Sequence, residues 1–498
     1  MARIKVFLSI LFVTAATVSD CSAATQKNVL FIVADDLRPE LPAFKGSDTI
    51  VKTPNLDKLA AKSLVLKSAY VQQSVCGPSR TSALTSRRPD TTLVYDLDTY
   101  WRTDGGGDFS TIPQYFKDNG YRTAGLGKLF HPGSASGFDD PPSWSDTYFH
   151  APNKRKWVID DSWQSVTAAE ELAQPLPDTQ LADEAIIKLA DMSTDALSGV
   201  QPFFLSLGFY KPHLPFVFPE DYLNWYPEVD VSLPDNPYAP VDMPDAAWEV
   251  YSELLNYDDI TGTGAINTTL PDAKTLELRR AYYATISYVD AQVGRVLDEL
   301  ERLGLENDTI IAFWGDHGFS LGEHGEWCKK TNFEDAVKAP LMLRVPGDTD
   351  AGVVSERLVE FVDLFPSIVE AASLNQIAQC PTDSSLVAVC TEGTSFIPLI
   401  SDPTRAWKDA AFSQNSATTN GINAMGYTIK TTDFRYTEWV KFNKRTHTMN
   451  WNKVYDVELY DHRIDPEENI NRASDSTYAA DITTLSNILH NGWRNAVP

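Results

Sequence analysis

The chain is short of positive charge, of cysteine and of long apolar runs, and each shortage removes a class of function. Lys and Arg number 42 against 68 Asp and Glu, a net charge of −26. No basic patch is available to neutralise a phosphate backbone, which excludes nucleic-acid binding. Five cysteines in 498 residues are too few for a disulfide-built scaffold. Beyond the N-terminus no segment is apolar enough to span a bilayer. Internal repeats, heptads, collagen triplets and low-complexity tracts are also missing. What is present is material for a large core, 43% hydrophobic and 11% aromatic, in a chain long enough for more than one domain.

At the N-terminus Arg3 and Lys5 precede an apolar-rich stretch, Phe7 to Val18, and small residues follow at Cys21-Ser22-Ala23. That order reads as a signal peptide over residues 1–23, too short for a comfortable membrane span. Lipidation at Cys21 is the alternative, and Asp20 before it fits that poorly. A secreted, periplasmic or lysosomal destination and a soluble mature chain are expected. Cys76, Cys328, Cys380 and Cys390 then remain. Cys380 and Cys390 close a short loop that an oxidising compartment could bridge. Cys76 and Cys328 stay unpaired, and such a cysteine is more often a small buried hydrophobe than a reactive group. Sequons at Asn267 and Asn307 matter only in a eukaryotic host.

Four apolar runs read as buried parallel strands. Asn28–Ala34 ends at Asp35-Asp36. Tyr121–Gly125 leads to Lys128 and His131, and Phe203–Gly208 to Lys211 and His213. Thr309–Trp314 ends at Asp316-His317. Open α/β sheets place ligands at the C-terminal ends of their strands, so four runs ending in charged or imidazole groups point to one site. Ala281–Leu303 is the clearest helix between strands, with Gly304 as its stop. The alternation predicts a doubly wound α/β domain over residues 24–401. From Asp402 the pattern changes to alternating apolar residues and a turn-rich tail, read as a smaller α+β domain over 402–498. Pro-rich segments between Pro215 and Pro244 read as irregular surface loops walling a pocket.

Adjacent carboxylates repel unless compensated. Asp35, Asp36 and Asp316 with His317 on neighbouring strand ends could hold one divalent ion, and oxygen-rich ligation favours calcium or magnesium over zinc. Cys76-Gly77-Pro78-Ser79-Arg80 opens a predicted helix. A helix N-terminus favours an anion, and on bare chemistry Cys76 there is either a thiolate nucleophile or an ordinary buried cysteine.

The pattern Cys-x-Pro-Ser-Arg resembles the signature of the formylglycine-dependent sulfatases. The resemblance, to the iduronate-2-sulfatase-like branch of that family, spans nearly the whole mature chain. It is carried in order by VCGPSRTSALTSRRPDTT, FSTIPQYFKDNGYRT, GKLFHPG, KPHLPF, TIIAFWGDHGFSLGEHGEW and MGYTIKTTDFRYTEWV. It implies an alkaline-phosphatase-like α/β fold and hydrolysis of O-sulfate from a sulfated carbohydrate. It implies Cys76 matured to formylglycine by a formylglycine-generating or anaerobic maturase enzyme, whose hydrate attacks sulfur. One calcium is implied on Asp35, Asp36, Asp316, His317 and the matured Cys76. Arg80 would hold the nucleophile, and Lys128 and Lys329 would clamp sulfate. His131 would remove a proton from the sulfated intermediate, and His213 would protonate the departing sugar oxygen. Glu323 and His324 read as loop structure, and Cys380–Cys390 matches a family disulfide.

The chain departs from that branch on the sugar side. Leu93 stands where the branch has arginine, Lys330 where it has tyrosine and Phe319 where it has tryptophan; Cys328 is a further change. Lys211, Lys330, Phe319 and Leu93 are the expected substrate contacts, and the sugar is left open. The rival readings are a phosphodiesterase or phosphonate monoester hydrolase of the same superfamily and a non-catalytic glycan-binding protein.

Overall fold

The structure, a computed structural model, describes residues 26–152, 160–251, 253–419 and 422–498. The expected signal peptide, Cys21 included, lies outside these. Seven strands form the central sheet: β1 (Asn28–Asp35), β2 (Leu64–Tyr70), β3 (Arg122–Gly127), β4 (Phe203–Pro212), β5 (Thr309–Gly315), β6 (Leu341–Arg344) and β7 (Val353–Glu360). Their order is β7-β2-β6-β5-β1-β4-β3. The four strands expected from the apolar runs are the contiguous parallel set β5-β1-β4-β3. Only β6 runs against its neighbours, so the sheet is mixed.

Every residue of β1 is buried, because the sheet is covered on both faces. Alternate residues of β1 serve two cores. Leu30, Ile32 and Ala34 pack with helices α2 (Pro177–Leu197) and α3 (Asp272–Arg302). Val29, Phe31 and Val33 pack on the other side with Ala83 and Leu84 of α1 (Cys76–Thr85) and with Phe365 and Ile368. Each such side chain, fully buried, contributes about 1.5–3 kcal/mol. Helix α3 starts at Asp272, before the expected Ala281, because Thr275, Leu278 and Arg279 already lie on its buried face. The Pro215–Pro244 stretch is not all surface loop: Phe216–Pro219 pairs with Trp163–Val166, and Phe216, Val217 and Phe218 are buried.

A second sheet is antiparallel, β8 (Ala411–Thr419), β9 (Ile422–Lys430), β10 (Phe434–Asn443) and β11 (Thr448–Asp461) in sequential order. Helix α4 (Ala479–Asn491) covers it through Leu485 and Leu489. Cys380 and Cys390 are joined in a disulfide. Among the described residues no helix is long and apolar enough to cross a membrane.

Candidate active site

The site lies at the C-terminal ends of β1, β3, β4 and β5, with the start of α1 aimed into it. All ten residues of α1 are buried. Val75 is its extended N-cap, so the helix opens on Cys76, as expected. Gly77 is required here, since a Cβ would stand 2.4 Å from the carbonyl oxygen of Asp96. Arg80, one turn in, projects beneath the strand ends. Its Nη2 donates to Asp35 Oδ1 at 2.8 Å and its Nε to Asp316 Oδ2 at 2.9 Å. Its Nη1 donates to the carbonyls of Lys128 and Leu129.

Three buried carboxylates thus meet three buried cations. Lys128 Nζ donates to Asp35 Oδ2 at 2.5 Å. Lys329 Nζ donates to Asp36 Oδ1 and Oδ2 at 2.6 and 2.8 Å. Asp36 takes a left-handed backbone, φ 61°; its N–H donates to Asp316 Oδ1 and its carbonyl accepts from Tyr282. Burial opposes charge on Asp35, Asp316, Lys128, Lys329 and Arg80, and their partners win. Lys128 and Arg80 hold Asp35 well below the usual carboxylate range, and Arg80 with His317 lowers Asp316. Asp35 and Cys76 raise Lys128, and Asp36, Cys76 and Glu253 raise Lys329 well above its ordinary value.

The sulfur of Cys76 sits among them, 3.4 Å from His317 Nε2, 3.6 Å from Lys329 Nζ and 3.7 Å from both Lys128 Nζ and Asp35 Oδ1. Burial pushes its thiol well above the ordinary cysteine value despite both lysines, and Asp35 and Asp316 add to the rise. Of the two readings left open for the unmodified residue, this rise favours the buried cysteine over the thiolate.

Ligand atoms of Asp36, Cys76, Asp316 and His317 all lie within 4.8 Å of one another, and all four residues are buried. His317 Nδ1 donates to the Gly318 carbonyl at 2.8 Å, which fixes the ring with its Nε2 turned toward the carboxylates, the orientation of a metal-ligating histidine. This set of two carboxylates, one imidazole and one cysteine could hold one metal ion. Asp35 is outside that tight group, with both oxygens turned to Arg80 and Lys128.

His213 follows β4, with Nδ1 2.5 Å from the Leu214 carbonyl and Nε2 3.0 Å from Glu253 Oε1. Glu253 was not anticipated. It sits in an irregular segment with no pattern to mark it, and its other oxygen lies 3.3 Å from Lys329 Nζ. Despite burial, Lys329 and His213 hold it well below the usual range. His131 is kept neutral, pushed down to about 3 by burial and then by Lys128; its buried Nδ1 has no hydrogen-bond partner.

The expected sugar-side residues separate. Phe319 is fully buried, its ring stacked on Tyr282 at 5.4 Å, so it braces the tyrosine that holds Asp36 and presents no face to a sugar. Lys211 is buried too. Its ammonium donates to the carbonyls of His213 and Pro215 at 2.8 and 2.5 Å, fixing the loop that carries His213, and burial lowers it to about 8. Lys330 is half-exposed, its Nζ 3.8 Å from Glu249. Leu93 is half-buried at the end of the short helix Pro89–Thr92, with φ 58°. Glu323 is structural, accepting from Arg38 and Arg279 at 3.0 Å each, and His324 faces the Glu467 carbonyl.

Two family profiles match: Sulfatase over residues 27–374, and N-sulphoglucosamine sulphohydrolase, C-terminal, over residues 322–494. The iduronate 2-sulfatase of Mus musculus is 37% identical, over 93% of this chain and 94% of that protein. A phosphonate monoester hydrolase from Silicibacter pomeroyi superposes with TM-score 0.72 at 21% identity, covering 95% of this chain and 96% of the other. A protein crystallised with its substrate D-glucosamine-2-N,6-O-disulfate superposes with TM-score 0.71 at 21% identity, covering 94% and 97%. These superpositions show the alkaline-phosphatase-like α/β fold with its separate antiparallel C-terminal sheet. A profile covering most of the chain and a relative matched almost end to end lead to one conclusion: the chain belongs to the sulfatase family of sulfuric ester hydrolases.

Proposed function

We propose that the chain removes O-sulfate from a sulfated oligosaccharide or polysaccharide, with Cys76 matured to formylglycine and one calcium held at the strand ends. The carrying observation is the buried convergence of Asp36, Cys76, Asp316 and His317, flanked by Lys128 and Lys329. A sulfate ester is anionic and repels a nucleophile, so catalysis needs fixed cations around it. Formylglycine at Cys76 supplies, when hydrated, a geminal hydroxyl nucleophile, and calcium on Asp36, Asp316 and His317, with Asp35 beside them, supplies charge stabilisation.

The chain's own residues do the rest. Arg80 locks Asp35 and Asp316 in place from beneath. Lys128 and Lys329, both charged, clamp the sulfate oxygens. His131, held neutral, accepts a proton. His213 gives a proton to the leaving sugar oxygen. The acidic body does not oppose this, because exposed charges are screened within about 10 Å at 0.1 M salt.

The sugar is not copied from the relative. The mouse protein's name specifies iduronate 2-sulfate, and this chain lacks the branch's arginine at Leu93. Leucine cannot make a bidentate carboxylate contact, while half-exposed Lys330 offers a positive charge from another direction. A sulfated sugar other than 2-sulfo-iduronate fits these changes. Destination outside the cytosol and maturation by a formylglycine-generating or anaerobic maturase belong to the same proposal.

The test is the mass of the Cys76 peptide from protein made with a maturing enzyme, followed by sulfate release from a panel of animal and algal oligosaccharides. Formylglycine and sulfate release are expected. Chelation should abolish turnover and calcium restore it. In Cys76→Ala turnover should vanish while the melting temperature stays near wild type. Full activity in that variant would sink the proposal, and preference for phosphonate monoesters over sulfates would move the chain to the rival class.

A further inference from the structure

Among the described residues of 248–259 the only regular structure is one turn at Leu254–Asn256, yet the segment is pinned by hydrogen bonds. The Tyr251 hydroxyl donates to the carbonyls of Thr268 and Gly325 at 2.8 and 2.6 Å. Asp259 accepts from Ser162 and from Lys274. Two acids of the segment, Glu249 before the first anchor and Glu253 between the two, point to adjacent lysines. Glu249 lies 3.8 Å from Lys330, and Glu253 bridges Lys329 and His213 at 3.3 and 3.0 Å. The Glu253 side chain is 20% exposed against 4% for Lys329 and 11% for His213, so it stands on their solvent side.

Glu253 therefore engages the two groups assigned to the sulfate clamp and to the leaving oxygen. A carboxylate offers this pair two acceptor oxygens on one central atom. One edge of a sulfate ester, a bridging and a non-bridging oxygen on sulfur, offers the same. Both anions cannot sit there together, because like charges at such contact repel strongly.

We propose that Glu253 occupies the sulfate-ester position of the free enzyme, is displaced by substrate, and disfavours retention of free sulfate. The inference rests on the sulfatase reading for its meaning, but its core is a competition between one carboxylate and an oxyanion.

The experiment is calorimetric titration of inorganic sulfate into matured, calcium-loaded wild type, Glu253→Gln and Glu253→Ala, with 4-nitrophenyl sulfate kinetics beside it. Sulfate should bind either variant more tightly, on the order of tenfold, and KM for the aryl sulfate should fall. A sulfate affinity that is unchanged or weaker in both variants overturns the proposal. Agreement of Gln with Ala guards against a fault of one variant. If the wild type does not turn over the aryl sulfate, the sulfatase reading fails, and the sulfate titrations still decide whether Glu253 guards an oxyanion site.

Discussion

His131 and His213 follow neighbouring strand ends and face opposite surroundings. Among the described residues the buried Nδ1 of His131 has no partner, and burial, with Lys128 added, keeps the ring neutral. Both nitrogens of His213 face acceptors, the Leu214 carbonyl and Glu253, which is the arrangement of a proton donor. His213→Ala should slow a sulfated sugar, whose alkoxide needs a proton, by about 10²–10⁴-fold. An activated aryl sulfate, leaving as a stable phenolate, should lose far less. The two kcat/KM ratios measure this, and equal losses on both substrates would remove His213 from the role. Both histidines were singled out from their place after apolar runs and inside motifs that resemble the family's. Glu253 was not, because only the folded path of an irregular segment, tied by Tyr251 to Gly325, brings it to Lys329.

Strand ends carry the site, and close backbone approach between strands sets where those ends fall. Lys128 follows β3 and crosses against β4 at Gly208, where a Cβ would stand 2.1 Å from the Lys128 carbonyl carbon and 2.2 Å from its oxygen. The Lys128 N–H donates to the Gly208 carbonyl at 2.8 Å. No flexible side chain can yield there, so the backbone itself must move. Gly208→Ala should cost about 1–3 kcal/mol or more as overpacking and shift the Lys128 ammonium away from Asp35. A lowered melting temperature together with a loss of kcat is expected; wild-type values for both would show that β3 is free to move. Strands β1, β4 and β5 were readable because each is an apolar run covered on both faces, while the shorter β3, RTAGLG, was read mainly from its place before Lys128 and His131. The four residues of β6 are too few to show a period or a direction, so the antiparallel member stayed hidden. Phe319 was misassigned for a related reason: a motif gives its neighbours in sequence, whereas its ring direction is decided by Tyr282 on α3.

At the scale of the whole molecule, a chain of net charge −26 holds its second sheet to the first through buried ion pairs. Glu360, at the end of β7, accepts from Arg88 at 2.7 and 2.9 Å, from Lys408 at 2.8 Å and from the Phe412 N–H at 2.9 Å. The Arg88 guanidinium also lies over the rings of Phe412 and Trp493. Arg435 of β10 makes a parallel connection, pairing with Glu334 and Glu468. Burial alone would raise Glu360, yet Arg88 and Lys408 lower it from 4.5 to about 2. A carboxylate depressed on folding stabilises the native state above its unfolded value, and that stabilisation is lost as pH falls through the folded value. The window here runs from about pH 4.5 down to about 2, and the contribution is on the order of 2–3 kcal/mol. Glu360→Gln leaves Arg88 and Lys408 buried without their counter-charge, which costs about 3–5 kcal/mol. The melting temperature of Glu360→Gln should therefore lie well below wild type at pH 7. The gap should narrow steadily below pH 4.5, as the wild-type carboxylate takes up the proton that the amide already mimics. A gap that stays constant from pH 7 to pH 2.5 would mean that packing of the side chain, and not its charge, binds the two sheets.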